Sequence, residues 1–179
     1  MTSIKGFITN LGRYNEGCLI GEWVDFPIDE DDLKEVFNRI GISDQPAENG
    51  IIYDEYFITD YESPFKFGEY TPINEINEVA ARYDELDDDQ KEVLDVLLEE
   101  HTDDIEEAFN IVENYDYIIW NNCQDMSDVA YQYLSDSGML DNDSILSRYF
   151  DYKSYGRDME LEGCFYQIDS DTYLEVINF

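Results

Sequence analysis

Apolar residues recur along this chain with two periods, and the switches between them mark its elements. Residues 5–11 and 18–24 read as strands, separated by a turn at Asn15-Glu16-Gly17, which makes them a hairpin candidate. Asp29 then caps a predicted helix whose apolar positions Leu33, Val36, Phe37 and Ile40 follow the helical period, with Gly41 as its stop. Its outer face keeps Glu30, Asp31, Asp32 and Glu35. After a loop at 43–50, residues 51–61 are rich in β-branched and aromatic side chains and predict a third strand.

The middle of the chain is helical in pattern. Thr71-Pro72 is a start signal, and Ile73, Ile76, Val79, Ala80 and Tyr83 form one stripe. Asp87-Asp88-Asp89-Gln90 resembles a capping box for a second helix burying Val93, Leu94, Leu97 and Leu98. Thr102 is placed to cap a third, with Ile105, Ala108, Phe109 and Val112 inward. The last third opens with a predicted strand at 115–120 and a helix from Ser127 to near Gly138, with Val129, Ala130, Tyr133 and Leu134 on one side. A short helix at 144–150 follows, and 163–168 and 172–177 flank Asp169-Ser170-Asp171 as a closing hairpin. No repeat and no Pro- or Ser-rich linker interrupts the chain.

These elements predict an α+β protein built as an elongated chain of three small subdomains. They are an N-terminal antiparallel sheet plus helix at 1–62, a central helical part at 63–113 and a mixed C-terminal part at 114–179. Charge supports the division. The 179 residues carry 44 Asp and Glu against 10 Lys and Arg, a formal net charge of -34, yet 43% of them are hydrophobic. That much apolar material argues for a folded core rather than disorder. The three parts sum to -10, -14 and -10, so the charge belongs to the whole folded surface and not to an appended tail. Between Asp84 and Glu107 there are 13 acids and one Lys, the most negative stretch of the chain.

Several chemistries lose support at this point. A surface this acidic repels nucleic acid and anionic membranes, and no run of 18 apolar residues or basic leader suggests insertion or export. The chain is read as soluble and cytoplasmic, with Cys18, Cys123 and Cys164 as reduced, buried thiols. One histidine, His101, cannot build a His-rich metal site and reads as a solvated or capping residue of an acidic helix end. Asp141-Asn142-Asp143 and Asp169-Ser170-Asp171 begin like calcium loops, but Leu146 and Leu174 stand where the EF-hand pattern needs Gly. No nucleophile turn marks a catalytic Ser. Gly17-Cys18-Leu19-Ile20-Gly21 lacks the remaining residues of a phosphate loop and reads as a turn and a close strand approach. Trp23 and Trp120, each flanked by apolar residues, are expected in the core. No cofactor is expected and no catalytic residue stands out, which leaves an acidic enzyme or divalent-ion binder only as the alternative to a recognition role.

The charge is the remaining lead. Duplex DNA carries one charge per roughly 1.7 Å of axis, so 34 charges correspond to roughly 58 Å of duplex. Spreading them over an elongated body relieves self-repulsion and yields a duplex-like line of charge. Salt-adapted solubility would also produce an acidic surface.

Four segments together resemble a known family: Leu11-Gly12-Arg13-Tyr14-Asn15-Glu16-Gly17 continuing through Gly21-Glu22-Trp23-Val24-Asp25, then 57–62, the acidic 97–117, and 151–163. In this order, over nearly the whole chain, they resemble the ArdA antirestriction proteins of conjugative plasmids and transposons. The resemblance implies a DNA mimic that occupies the DNA-binding groove of type I restriction-modification enzymes, and a curved homodimer of three-subdomain monomers. It implies that 97–117 matches the antirestriction motif, which makes Glu99, Glu100, Asp103, Asp104, Glu106 and Glu107 the candidate target-binding residues. The aromatic-rich region around Tyr131, Tyr133, Tyr149 and Phe150 is the expected place of assembly.

Overall fold

In a computed structural model that describes residues 3–141 and 143–177, the first two apolar stretches form β1 (Ile4–Asn10) and β2 (Gly21–Phe26). They pair antiparallel, with Gly6 opposite Val24 and Phe7 opposite Trp23. The expected hairpin is therefore present, but its connection contains a short helix, α1 (Leu11–Asn15). Asn10 explains the helix. Its side-chain oxygen accepts from the Arg13 backbone N–H at 3.0 Å, and its amide nitrogen donates to the Ile40 and Gly41 carbonyls at 3.1 and 3.0 Å. A fully buried Asn is thereby satisfied at both ends. Where the chain returns, a Cβ on Gly21 would stand 2.6 Å from the Ile8 carbonyl oxygen, so the close strand approach requires glycine.

The third strand, β3 (Tyr56–Glu62), pairs antiparallel with β1 and gives the order β2-β1-β3. It starts five residues later than the apolar pattern suggested. Ile51 and Ile52 stay exposed, and Tyr53 instead forms an isolated bridge to Ser43 that closes the 43–50 loop on itself. The helix α2 (Glu30–Ile40) follows its pattern closely: the Asp29 carboxylate accepts from the Asp31 and Asp32 N–H groups at 2.9 and 2.8 Å, and Gly41 ends it at φ 74°. After Pro72, α3 (Ile73–Glu85) buries Ile73, Ile76, Ala80 and Tyr83. Both helices pack against β2, and the Asn77 amide holds both backbone groups of Ile28, at 2.9 and 2.8 Å.

The chain folds as two compact units, Met1–Asp87 and Asp88–Phe179. The expected three-part division differs from this one: its central part, 63–113, runs across the boundary between the two units. The second unit contains α4 (Asp88–Val96), a π-helical turn at Leu97–His101, α5 (Ile105–Glu113), β4 (Tyr117–Asn121), α6 (Met126–Asp136), a 3-10 turn at Leu146–Tyr149, α7 (Tyr152–Glu162), β5 (Cys164–Gln167) and β6 (Thr172–Val176). The closing hairpin is as expected, and β4 pairs with β6 to give the order β4-β6-β5. Trp120, Cys123, Met126 and Val129 form a core, with Tyr133, Met159, Phe165 and Tyr173 packed against it.

One helix goes unpredicted, and two expectations are corrected. The helix α7 has no sequence prediction: Gly156 is its one fully buried residue, and Tyr152, Tyr155 and Met159 on the same side are only half-buried. A Cβ at Gly156 would collide with the Met126 backbone carbonyl, so glycine lets α7 cross the start of α6 at backbone contact. Trp120 is 7% exposed, as a core residue should be, but Trp23 is 43% exposed. It stands on the pleat of edge strand β2 that alternates with buried Val24 and Phe26. Among the thiols, all of them free, Cys123 is buried while Cys18 is exposed and Cys164 half-buried.

Candidate functional site

The most acidic stretch begins as an ordinary amphipathic helix. In α4, Val93 and Leu94 are buried, and Leu97 continues the same stripe at the start of the next turn. There the helix widens: the Thr102 N–H donates to the Leu97 carbonyl at 2.9 Å, five residues back. The widened turn brings His101 round to the closing hairpin, where its Nδ1 lies 2.8 Å from the Tyr166 hydroxyl and the two rings meet edge to face. His101 is thus half-buried and hydrogen-bonded inside the unit, which corrects its reading as a solvated residue. Sequence pattern misses this partner because Tyr166 is 65 residues away.

Leaving the turn, the chain restarts as α5 with Asp104, not Thr102, as its cap. The Asp104 carboxylate accepts from the Glu106 and Glu107 N–H groups at 2.9 and 3.3 Å. Thr102 supports the same corner: its hydroxyl donates to Glu107 at 2.6 Å and accepts from the Asp104 N–H at 3.1 Å. Both residues are good capping types, and the widened turn decides between them by keeping Thr102 in its last hydrogen bond. Ala108, Phe109, Ile111 and Val112 then anchor α5 in the core.

All six predicted residues are brought to one short, exposed segment. Glu99 and Glu100 sit on the widened turn, Asp103 and Asp104 on the corner, and Glu106 and Glu107 on the first turn of α5, where the helix dipole favours negative charge. One neighbouring acid behaves differently. Asp95 on α4 is half-buried with a carboxylate oxygen that finds no hydrogen-bond partner, and burial, with Glu92 and Glu99 nearby, raises its pKa.

The N-terminal acids are arranged otherwise. Lys5, Arg13, Lys34 and Arg39 each lie within 3.2 Å of a carboxylate, and Arg39 holds Glu22 with two nitrogens at 2.9 and 2.7 Å. The Gly12-Arg13-Tyr14-Asn15-Glu16 run is explained by packing around Tyr53. Gly12 leaves room for the Tyr53 ring, Arg13 lies 4.2 Å above it, and the Tyr53 hydroxyl donates to Glu16 at 2.7 Å. That bond, with Arg13 beside it, holds the Glu16 pKa below its ordinary value.

The arrangement offers little to a bound ion. Among the described residues no three His, Cys, Asp or Glu side chains are grouped to hold a metal. Asp141 and Asp169 instead accept from the N–H groups of Asp143 and Asp171, both at 2.9 Å, and so close local turns. Asn142, between the first pair, lies outside the described residues. No described helix is long and apolar enough to cross a membrane.

Comparison with known proteins gives one finding. The family model described as antirestriction protein (ArdA) matches residues 6–174. No curated protein matches the chain.

Proposed function

Since the chain belongs to the ArdA family of antirestriction proteins, we propose that it blocks restriction by imitating DNA, with 99–107 as part of the contact surface. The observation that carries this reading is the exposure of all six carboxylates, Glu99, Glu100, Asp103, Asp104, Glu106 and Glu107, on a segment anchored from behind by Ala108, Phe109 and Val112. Carboxylates held in this way meet the Lys and Arg side chains of a DNA-binding groove as phosphates do, and release counterions on contact. No base is read, so inhibition is independent of the recognition sequence.

The finer parts of the proposal are the target, the assembly and the place. The target is the DNA groove of a type I restriction-modification enzyme, which spans tens of base pairs. A homodimer of extended three-part monomers, carrying twice the formal charge of -34, suits that length, and a two-fold axis suits the pseudo-symmetry of the groove. Such enzymes act in the cytoplasm, which places the inhibitor there. The expected result is that purified protein displaces DNA from a type I methyltransferase, stoichiometrically and with chelator present. Inhibition that needs a divalent ion, or that grows by turnover with time, would replace this reading with an acidic enzyme or ion binder.

A further inference from the structure

Away from the acidic segment, the outer face of the β2-β1-β3 sheet carries a cavity of about 470 Å³ whose lining combines aromatic rings with carboxylates. Phe7 and Trp23, opposite one another across β1 and β2, form one wall with centroids 5.6 Å apart. Tyr14 from α1 meets Phe57 of β3 edge to face at 5.0 Å and forms the other. Asp60 and Glu69 stand at its rim. Gly21 makes the space: with no Cβ, it lets the Phe7 ring lie over it.

Two features indicate what would enter. Trp23 is 43% exposed and Tyr14 49%, a large uncovered aromatic surface for a unit of this size. Asp60 and Glu69, both exposed, have no ion pair with any Lys or Arg of the described chain, whereas Lys5 on the same face is taken by Asp25 at 3.1 Å. On its other side, Trp23 borders a second concavity of about 480 Å³ in which a cation of the chain already sits: Arg39 lies there, paired with Glu22 at 2.7 Å and 3.7 Å from Glu35. Aromatic faces attract cations through their quadrupole, and nearby carboxylates fix them. A flat guanidinium stacks on an aromatic ring while donating to carboxylates, which an ammonium does less well.

We propose that this cavity is a docking site for an arginine side chain of a basic protein partner, held between Trp23 and Tyr14 and paired with Asp60 and Glu69. It supplies a stacked anchor of the kind that dominates protein interfaces, which an array of exposed carboxylates lacks. The inference does not depend on DNA mimicry, since the cavity and the 99–107 segment lie in different units.

The protein has two tryptophans, so two indole N–H signals in a nitrogen-15 spectrum report on the site and on an internal reference. Full-length protein is titrated at constant ionic strength with Nα-acetyl-arginine amide, with the lysine analogue, and with the neutral isostere Nα-acetyl-citrulline amide. Trp23 should shift saturably with arginine, more weakly with lysine and least with citrulline, while Trp120, bonded to Glu175 in the second unit, stays in place. The paired variant Asp60→Asn, Glu69→Gln, which keeps the oxygen that accepts from the Tyr61 N–H, should weaken arginine binding about fivefold. Equal shifts with citrulline would mean an apolar occupant. Equal shifts of both indoles would mean general attraction of cations to an acidic surface. Either result, or no saturable shift of Trp23, would overturn the proposal.

Discussion

Asp104 is at once an exposed negative charge and the N-cap of α5, and substitution can separate the two. Ala removes the acceptor for two backbone N–H groups and should cost about 1 kcal/mol of stability in urea unfolding. Asn keeps an acceptor oxygen and should cost a few tenths of that, so Asp104→Asn is the variant that tests charge alone. A loss with Asn as large as with Ala would mean that the charge, through the helix dipole, carries the cap. Asp95 makes the opposite prediction. Its pKa is raised in the folded state, chiefly by burial, so the native protein holds this proton more tightly than the unfolded chain does. Its contribution to stability is fully present below the ordinary carboxylate pKa and is lost as pH rises through the raised value. Asp95→Asn should therefore stabilise the protein by up to about 1 kcal/mol at neutral pH. Below the ordinary value of 3.8 the gain should vanish. A gain that persists there would locate the effect in packing instead.

Among the elements, the contrast between burial and exposure decides how the acidic segment should fail. Each exposed ion pair with a groove cation is worth roughly 0 to 1 kcal/mol, whereas burying a side chain such as Phe109 or Val112 contributes about 1.5–3 kcal/mol to folding. Neutralising Glu99 or Asp103 alone should barely change target binding. Neutralising all six residues of the segment together should cost several kcal/mol of binding, with the helical circular dichroism signal retained because the inner face of α5 is untouched. Loss of all activity from a single amide substitution in a folded variant would count against a distributed contact. Sequence pattern placed α2, α3 and α5 because each has one buried stripe, and Asp29 and Gly41 because caps act within a turn of their own backbone. It missed α7, whose fit depends on Gly156 against the Met126 carbonyl. It also took Thr102 as the cap of α5, where Asp104 serves, because nothing in a linear pattern reveals a widened turn.

For the whole molecule, the charge distribution predicts how binding responds to salt. If contact releases the counterions condensed on 34 net negative charges and on the groove, affinity should fall log-linearly with salt concentration. The sixfold variant should show a shallower slope in the same titration. A flat dependence in the parent protein would mean that apolar contacts dominate the interface. An acidic surface, an α+β chain, a closing hairpin and six carboxylates clustered in 99–107 are all legible in the order of the amino acids alone. These properties follow from composition and from periods that each element carries alone. The exposure of Trp23 beside an aromatic cavity, the hold of Tyr166 on His101 and the packing of the Arg13–Glu16 run around Tyr53 arise from packing in three dimensions. Each of these depends on strand register or on partners tens of residues apart. A residue's own neighbours in sequence do not specify which face of a pleat is covered, or what reaches it from the far end of a fold.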